Sequence, residues 1–209
     1  MNPVNQDRWA ALWHATGSAE VPTGWYERLQ GAYGEAQRHY HTQQHISECL
    51  AEFDQARDLA RNSVAIELAI WFHDVVYDPK AGDNEEKSAA LANLCLAEAG
   101  SNTALAAVVT NLIIATKTHA AEADPDAGLM VDVDLSIFGQ RKERFFEYEE
   151  QIRREYAWVP EPVFNSKRVE ILRGFLHRKN IYWTEWFRTR YEQQARENLQ
   201  RSIAKLTPS

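Results

Sequence analysis

The sequence has few cysteines and no long apolar run. Its two cysteines among 209 residues, Cys49 and Cys95, lie far apart without a CxxC spacing, which predicts ordinary helix residues in a reducing compartment. No run approaches roughly 18 consecutive apolar residues, which argues against a membrane span. The first residues carry no basic segment followed by an apolar one, so no secretory signal is predicted. These absences favour a cytoplasmic protein without a membrane partner.

Positive charge is also scarce. The formal net charge is −7 at pH 7, which argues against a nucleic acid polymer as partner, because its phosphates are bound by Lys and Arg. Hydrophobic residues make up 44% of the chain, enough for a domain that buries its own core. We predict one domain over 1–209, with N-terminal helices (1–34), a core that carries the candidate site (35–140) and C-terminal helices (141–209).

The spacing of apolar residues predicts an all-α fold. From Val64 to Val76 nearly every residue is apolar, which indicates a buried central helix that ends near Asp78, before Pro79. A turn-rich loop is expected over 120–128, followed by an extended entry to a short helix that begins at Asp134. Two of the helices predicted after that point cover 166–178, capped by Asn165, and 184–205, capped by Thr184.

His73 and Asp74 are adjacent inside the central apolar run. Burying an imidazole and a carboxylate costs several kcal/mol unless something binds them. A divalent cation would satisfy both side chains together. A hydrogen-bonded pair in the core is the commoner explanation for such a dipeptide taken alone. The choice depends on whether further ligand-type residues converge on the pair.

Further candidate residues lie near the ends of other predicted helices. They are His41, His45, Glu85, Glu86, Lys117, His119, Asp132 and Asp134. His41 and His45 are four residues apart, so they share one helix face beside the apolar stripe that starts at Ile46. Each group also has a simpler explanation, because acidic side chains at helix starts and basic ones at helix ends stabilise the helix itself. Both explanations stay open at this point.

Taken in order, His45, the pair His73-Asp74 and Asp134 resemble the HD superfamily of metal-dependent phosphohydrolases, which is named for such a set. The resemblance implies an HD-domain-like helical bundle with a C-terminal helical extension. It also implies that these four residues bind the metal. Asp132 is an alternative to Asp134 as the last ligand, because a valine stands where the family usually has a small residue.

The flanking stretches strengthen the resemblance. The segments RHYHT (38–42), FHDVVY (72–77) and NEE (84–86) are similar to those of a small bacterial branch of HD-type phosphohydrolases. The similarity covers most of the chain. It implies a small phosphorylated substrate, for which a free nucleotide is one candidate.

The resemblance leads us to predict a hydrolase that cleaves a phosphoester or phosphoanhydride with water activated by one or two divalent ions. Asp74 would act in catalysis as a metal ligand, and Glu85, or alternatively Glu86, would orient or deprotonate the water. The residues predicted to bind substrate are Arg38, His41, Lys117 and His119, and His41 could instead serve a second metal. Two histidines and two carboxylates suit manganese, iron, cobalt, nickel or zinc, and ligand type alone does not choose among them.

Two other functions remain open. A two-iron oxygenase on the same scaffold would use His41 and His119 as extra ligands. A non-catalytic module would hold a structural metal and bind a nucleotide or another phosphorylated metabolite. A homodimer also remains open.

Overall fold

The computed structural model describes residues 3–18, 20–121 and 124–207. Within these ranges the protein has ten α-helices and no strand, which confirms the all-α expectation. The helices are α1 (Gln6–Ala15), α2 (Trp25–Tyr33), α3 (Gln43–Ala56), α4 (Ser63–Phe72), α5 (Asn84–Glu98), α6 (Thr103–Thr118), α7 (Pro125–Asp134), α8 (Lys142–Glu155), α9 (Glu161–His177) and α10 (Glu185–Leu206). Short 3-10 helices cover Arg57–Leu59 and Leu135–Gly139.

The chain divides into two compact units, Met1–Asp134 and Leu135–Ser209. The first unit holds α1 to α7, and the second holds α8 to α10. That the two units belong to a single HD-type domain stays a prediction. In the ranges the structure describes, each helix is too short or too polar to traverse a lipid bilayer.

Helix α4 is the centre of the first unit. Every residue from Ala65 to Phe72 is buried, and the helix packs against α1, α3, α5, α6 and α7. Glu67 is the one charged side chain in that stretch, and it is ion-paired with Arg8 and Arg57. The apolar run therefore forms the buried central helix that the sequence predicts.

The end of α4 differs from the prediction. The helix stops at Phe72, with His73 as its C-cap, rather than near Asp78. Beyond it, the backbone finds partners outside the helix, because the Arg38 guanidinium donates to the Val75 carbonyl oxygen and Val76 N–H donates to a serine hydroxyl on α5. These tertiary hydrogen bonds replace the intrahelical ones that a longer α4 would need.

The segment before Asp134 is also different from the prediction. Residues 122–123 of the expected loop lie outside the described residues, but from Pro125 the chain is helical, and Asp134 is the last residue of α7 rather than the first of a helix. Proline is well tolerated in a first helical turn. The Asp126 carboxylate accepts hydrogen bonds from the backbone N–H groups of Arg61 and Asn62, both at 2.8 Å. This contact holds the start of α7 against the start of α4.

The second unit is built around α10. Its predicted cap is confirmed, since the Thr184 hydroxyl accepts from Phe187 N–H at 3.3 Å. Asn198 is fully buried and donates at 2.8 Å to the carbonyl oxygens of Phe138 and Gln140, which ties the 3-10 helix to α10. Helix α9 begins at Glu161, a turn earlier than predicted, because a proline in the first turn does not interrupt a helix.

Gly139 marks the closest approach in this unit. A Cβ atom at Gly139 would collide with the Cβ, Cγ and Cδ1 atoms of Tyr191 on α10. Gly139→Ala is therefore expected to lower the free energy of unfolding by about 1–3 kcal/mol, the usual cost of overpacking. Gly174→Ala is the matched control, since a Cβ there meets open space and alanine favours the helix by up to about 1 kcal/mol. Chemical denaturation of both variants tests the contrast, and equal stabilities would contradict it.

Candidate metal centre

Four predicted ligand residues meet at the ends of three helices of the first unit. His45 lies in the first turn of α3 and is 2% exposed. His73 and Asp74 follow the end of α4, and Asp134 ends α7. Because α3, α4 and α7 pack against one another, their ends bring these side chains together.

The ring of His73 is held in one orientation. Its Nδ1 lies 3.0 Å from the Ile70 carbonyl oxygen, which can only accept, so Nδ1–H donates this bond. In the neutral imidazole, Nε2 then carries the free lone pair. Histidines that bind metals are commonly fixed in this way through their other ring nitrogen.

The ligand atoms converge to within ion-binding distance. The His45 Nε2 atom lies 3.1 Å from His73 Nε2, 3.3 Å from Asp74 Oδ2 and 3.3 Å from Asp134 Oδ1. The His73 Nε2 atom lies 3.1 Å from Asp74 Oδ2 and 3.5 Å from Asp134 Oδ1. Ligands bound at about 2.1 Å to one ion, at tetrahedral or octahedral angles, are about 3.0–3.4 Å apart. The donor set and its spacing therefore fit one divalent transition metal ion.

The imidazoles and carboxylates of the cluster stabilise each other's charged forms. Burial disfavours a charged imidazole, but neighbouring groups, including both carboxylates, outweigh it, so the pKa of His45 and of His73 is raised well above its usual range. Burial likewise disfavours the carboxylates, but the facing imidazoles lower the pKa of Asp74 and of Asp134 well below its usual range. A metal ion bound here would displace protons from the imidazoles.

Asp134, rather than Asp132, faces the histidines. Residues two apart on a helix point in nearly opposite directions, so the fully buried side chain of Asp132 leaves α7 on a different side from that of Asp134. The two oxygens of Asp134 have different neighbours: Oδ1 faces His45 and His73, whereas Oδ2 lies 3.3 Å from Nε2 of His119. His119 adopts a left-handed conformation directly after α6 (φ 51°) and is 28% exposed in its side chain. The structure thus brings His119 to the cluster.

His41 lies next to the cluster without joining the four ligands. Its ring stacks on Tyr77, with 4.0 Å between ring centroids, and its centroid is 6.0 Å from that of His45. Its electrostatic interaction with Asp74 contributes to the lowered pKa of that carboxyl group. Both roles predicted for His41, contact with the substrate and ligand of a second metal, stay predictions that are compatible with this position.

Arg38 is buried, with a side chain 1% exposed. Its guanidinium donates to the carbonyl oxygens of Asp74 at 2.6 Å, Val75 at 2.8 Å and His41 at 3.3 Å, and its Nε donates to Glu35. Every nitrogen of the guanidinium is therefore engaged by acceptors within the protein. The geometry favours a role for Arg38 in positioning the segment that carries Asp74, and its contact with a substrate phosphate stays a prediction.

Lys117, in the last turn of α6, reaches the start of α5, where the two glutamates lie. The Lys117 Nζ donates to Glu86 Oε1 at 2.5 Å and to the Gly82 carbonyl oxygen at 2.7 Å. The hydrogen bond from Lys117 to Glu86 lowers the pKa of Glu86. Glu85 is half-buried in the same turn. In the described part of the chain, none of these three side chains bonds to the four ligand residues. Of the two glutamates, Glu85 is the one that Lys117 does not bond.

Cys49 is a residue of the site that the sequence analysis missed. It is 1% exposed, and its Sγ atom lies 3.7 Å from His45 Nδ1 and 3.8 Å from His45 Nε2. The signal in the sequence is its spacing, because Cys49 follows His45 by one helical turn.

Comparison with protein-family models, curated protein sequences and solved structures finds no match to this chain.

Proposed function

We propose that this protein is a metal-dependent phosphohydrolase of HD type, acting on a small phosphorylated molecule. The observation that carries the proposal is that two imidazoles lie 3.1 Å apart and each lies 3.1–3.5 Å from an oxygen of both carboxylates. A bound manganese, iron, cobalt, nickel or zinc ion would lower the pKa of a coordinated water and neutralise phosphoryl charge. The resemblance of the ordered ligand set to the HD superfamily supports hydrolysis over other uses of the ion.

The surrounding residues have separate parts in this proposal. His119 touches Asp134 and is partly exposed, so it can also donate a hydrogen bond to a phosphoryl oxygen or to the leaving group. Glu85 orients the attacking water or accepts its proton, since Glu86 is engaged with Lys117. Arg38 holds the backbone at Asp74, which keeps that carboxylate directed at both histidines.

A phosphate-release screen tests this function. Purified protein is incubated with nucleotides and sugar phosphates in the presence of manganese, iron, cobalt, nickel or zinc. Glu85→Gln is expected to lower kcat by about 10²–10⁴-fold, the usual contribution of a general base, without loss of metal. Glu86→Gln, which removes a charge from the same helical turn, is expected to lower it less.

The opposite ranking of the two variants would assign the base to Glu86. Tight binding of a nucleotide without phosphate release under any metal would favour the non-catalytic module. No binding and no release would overturn the phosphohydrolase.

A two-ion site is the second candidate, and one observation favours it. The two oxygens of Asp134 face different histidines, as a carboxylate shared by two ions would. His119 and His41 would then supply ligands to the second ion. Two metal ions per chain with phosphate release would indicate a dinuclear hydrolase, whereas two irons with oxygen consumption would indicate the oxygenase.

A further inference from the structure

The environment of Cys49 differs from that of an ordinary core cysteine. Its sulfur lies at nearly equal distances from the two ring nitrogens of His45, 3.7 Å from Nδ1 and 3.8 Å from Nε2. It also lies 3.9 Å from the carbonyl oxygen of Val133, the residue before Asp134. A sulfur donor is thus packed between one ligand residue of the candidate metal centre and the backbone directly before another.

Cys49 belongs to a second set of convergent donor atoms. One donor atom each from His45, Cys49 and Asp134 lies within 4.8 Å of the other two, and the same holds for His45, His73 and Asp74. The two sets share His45. They differ in chemistry, because thiolate selects softer ions such as zinc and cadmium, whereas carboxylates suit harder ions such as manganese.

We propose that Cys49 is a selective metal ligand, through which a thiophilic divalent ion binds to His45, Cys49 and Asp134. The Cys49 thiol loses its proton to solvent as the metal–sulfur bond forms. Because both sets use His45, an ion held through sulfur excludes a harder ion from the first set. The inference rests on the metal centre of the proposed function but not on hydrolysis.

Cobalt spectroscopy tests the metal–sulfur bond directly. Protein loaded with Co²⁺ is expected to show the near-ultraviolet charge-transfer absorption of a cobalt thiolate. Cys49→Ser is expected to lose this absorption, whereas the matched variant Cys95→Ser, which replaces the other buried cysteine, is expected to keep it. Circular dichroism verifies that both variants are folded.

Metal selectivity provides a second measurement. Cys49→Ser is expected to weaken Cd²⁺ binding by at least about tenfold, since even outer-shell partners are worth about 10–100-fold in metal affinity. Binding of Mn²⁺ is expected to change by less than about threefold, because oxygen and nitrogen ligands dominate its affinity. A purely structural cysteine would weaken both ions alike, so the ratio of the two affinities distinguishes the roles.

Several results would overturn the inference: no charge-transfer absorption in the unaltered protein, no Co²⁺ binding at all, or equal losses of Cd²⁺ and Mn²⁺ affinity in Cys49→Ser. Absorption that disappears in Cys49→Ser, in a protein that releases no phosphate, would support the sulfur ligand and contradict the phosphohydrolase. Phosphate release without the absorption would support the phosphohydrolase and contradict the sulfur ligand.

Discussion

Asp74→Asn is expected to lose stoichiometric metal binding and, with it, phosphate release. The Asp74 Oδ2 atom is 3.1 Å from His73 Nε2 and 3.3 Å from His45 Nε2, so the carboxylate supplies both a donor atom and a negative charge to the cluster. The amide of asparagine has the same shape but no charge. We expect metal affinity to fall by more than about 100-fold, beyond the contribution of an outer-shell partner.

Elemental analysis after reconstitution and desalting measures this effect. Asp58→Asn is the control, because Asp58 is exposed on the 3-10 helix of the same unit. The fold should survive in Asp74→Asn, since the Asp74 carbonyl oxygen keeps its bond from Arg38. Undiminished metal content in Asp74→Asn and in His73→Ala would refute the metal assignment and leave His73-Asp74 as a hydrogen-bonded core pair.

Arg38→Met is expected to impair both stability and metal binding. The methionine keeps much of the apolar volume but leaves the Asp74 and Val75 carbonyl oxygens without their charged donor. Hydrogen bonds to charged groups contribute about 1.5–3 kcal/mol each, so the free energy of unfolding should fall by roughly 3–6 kcal/mol. In the folded fraction, a loosened Asp74 segment should weaken metal binding by about 10–100-fold.

Arg38→Lys and Arg61→Met complete the experiment. Lysine keeps the charge but cannot span several carbonyl oxygens, so Arg38→Lys should lie between the wild type and Arg38→Met. Arg61 is exposed in the same unit, and Arg61→Met should change stability by less than about 0.5 kcal/mol. Thermal melts with and without metal, together with metal titrations below the melting range, separate the two effects.

The opposite result would support the phosphate-binding role that the sequence analysis predicts for Arg38. If Arg38→Met melts and binds metal as the wild type does but raises KM for a phosphorylated substrate, Arg38 contacts the phosphate. The buried guanidinium and its carbonyl partners are the reason to expect otherwise.

The sequence by itself determined the all-α class, the buried central helix and four of the convergent residues. An apolar run such as 64–76 has to be buried, so a central helix follows from hydrophobic burial alone, and its burial from Ala65 to Phe72 agrees. Local capping chemistry likewise predicts Thr184 as the start of α10, because the bond it makes spans only three residues. The candidates His45, His73, Asp74 and Asp134 could be listed for a related reason, since they are ligand-type residues beside apolar helix faces.

The tertiary structure alone decided where α4 ends and which role each polar residue has. The Arg38 guanidinium bonds to carbonyl oxygens about 36 residues away, and the Lys117 ammonium bonds to Glu86 on another helix. The sulfur of Cys49 likewise lies beside the end of α7. Spacing along a chain shows which side chains share a face of one helix, but it contains no distance between helices. Those distances come from how the buried faces pack, and packing is what brings two imidazoles, two carboxylates and one sulfur together in the first unit.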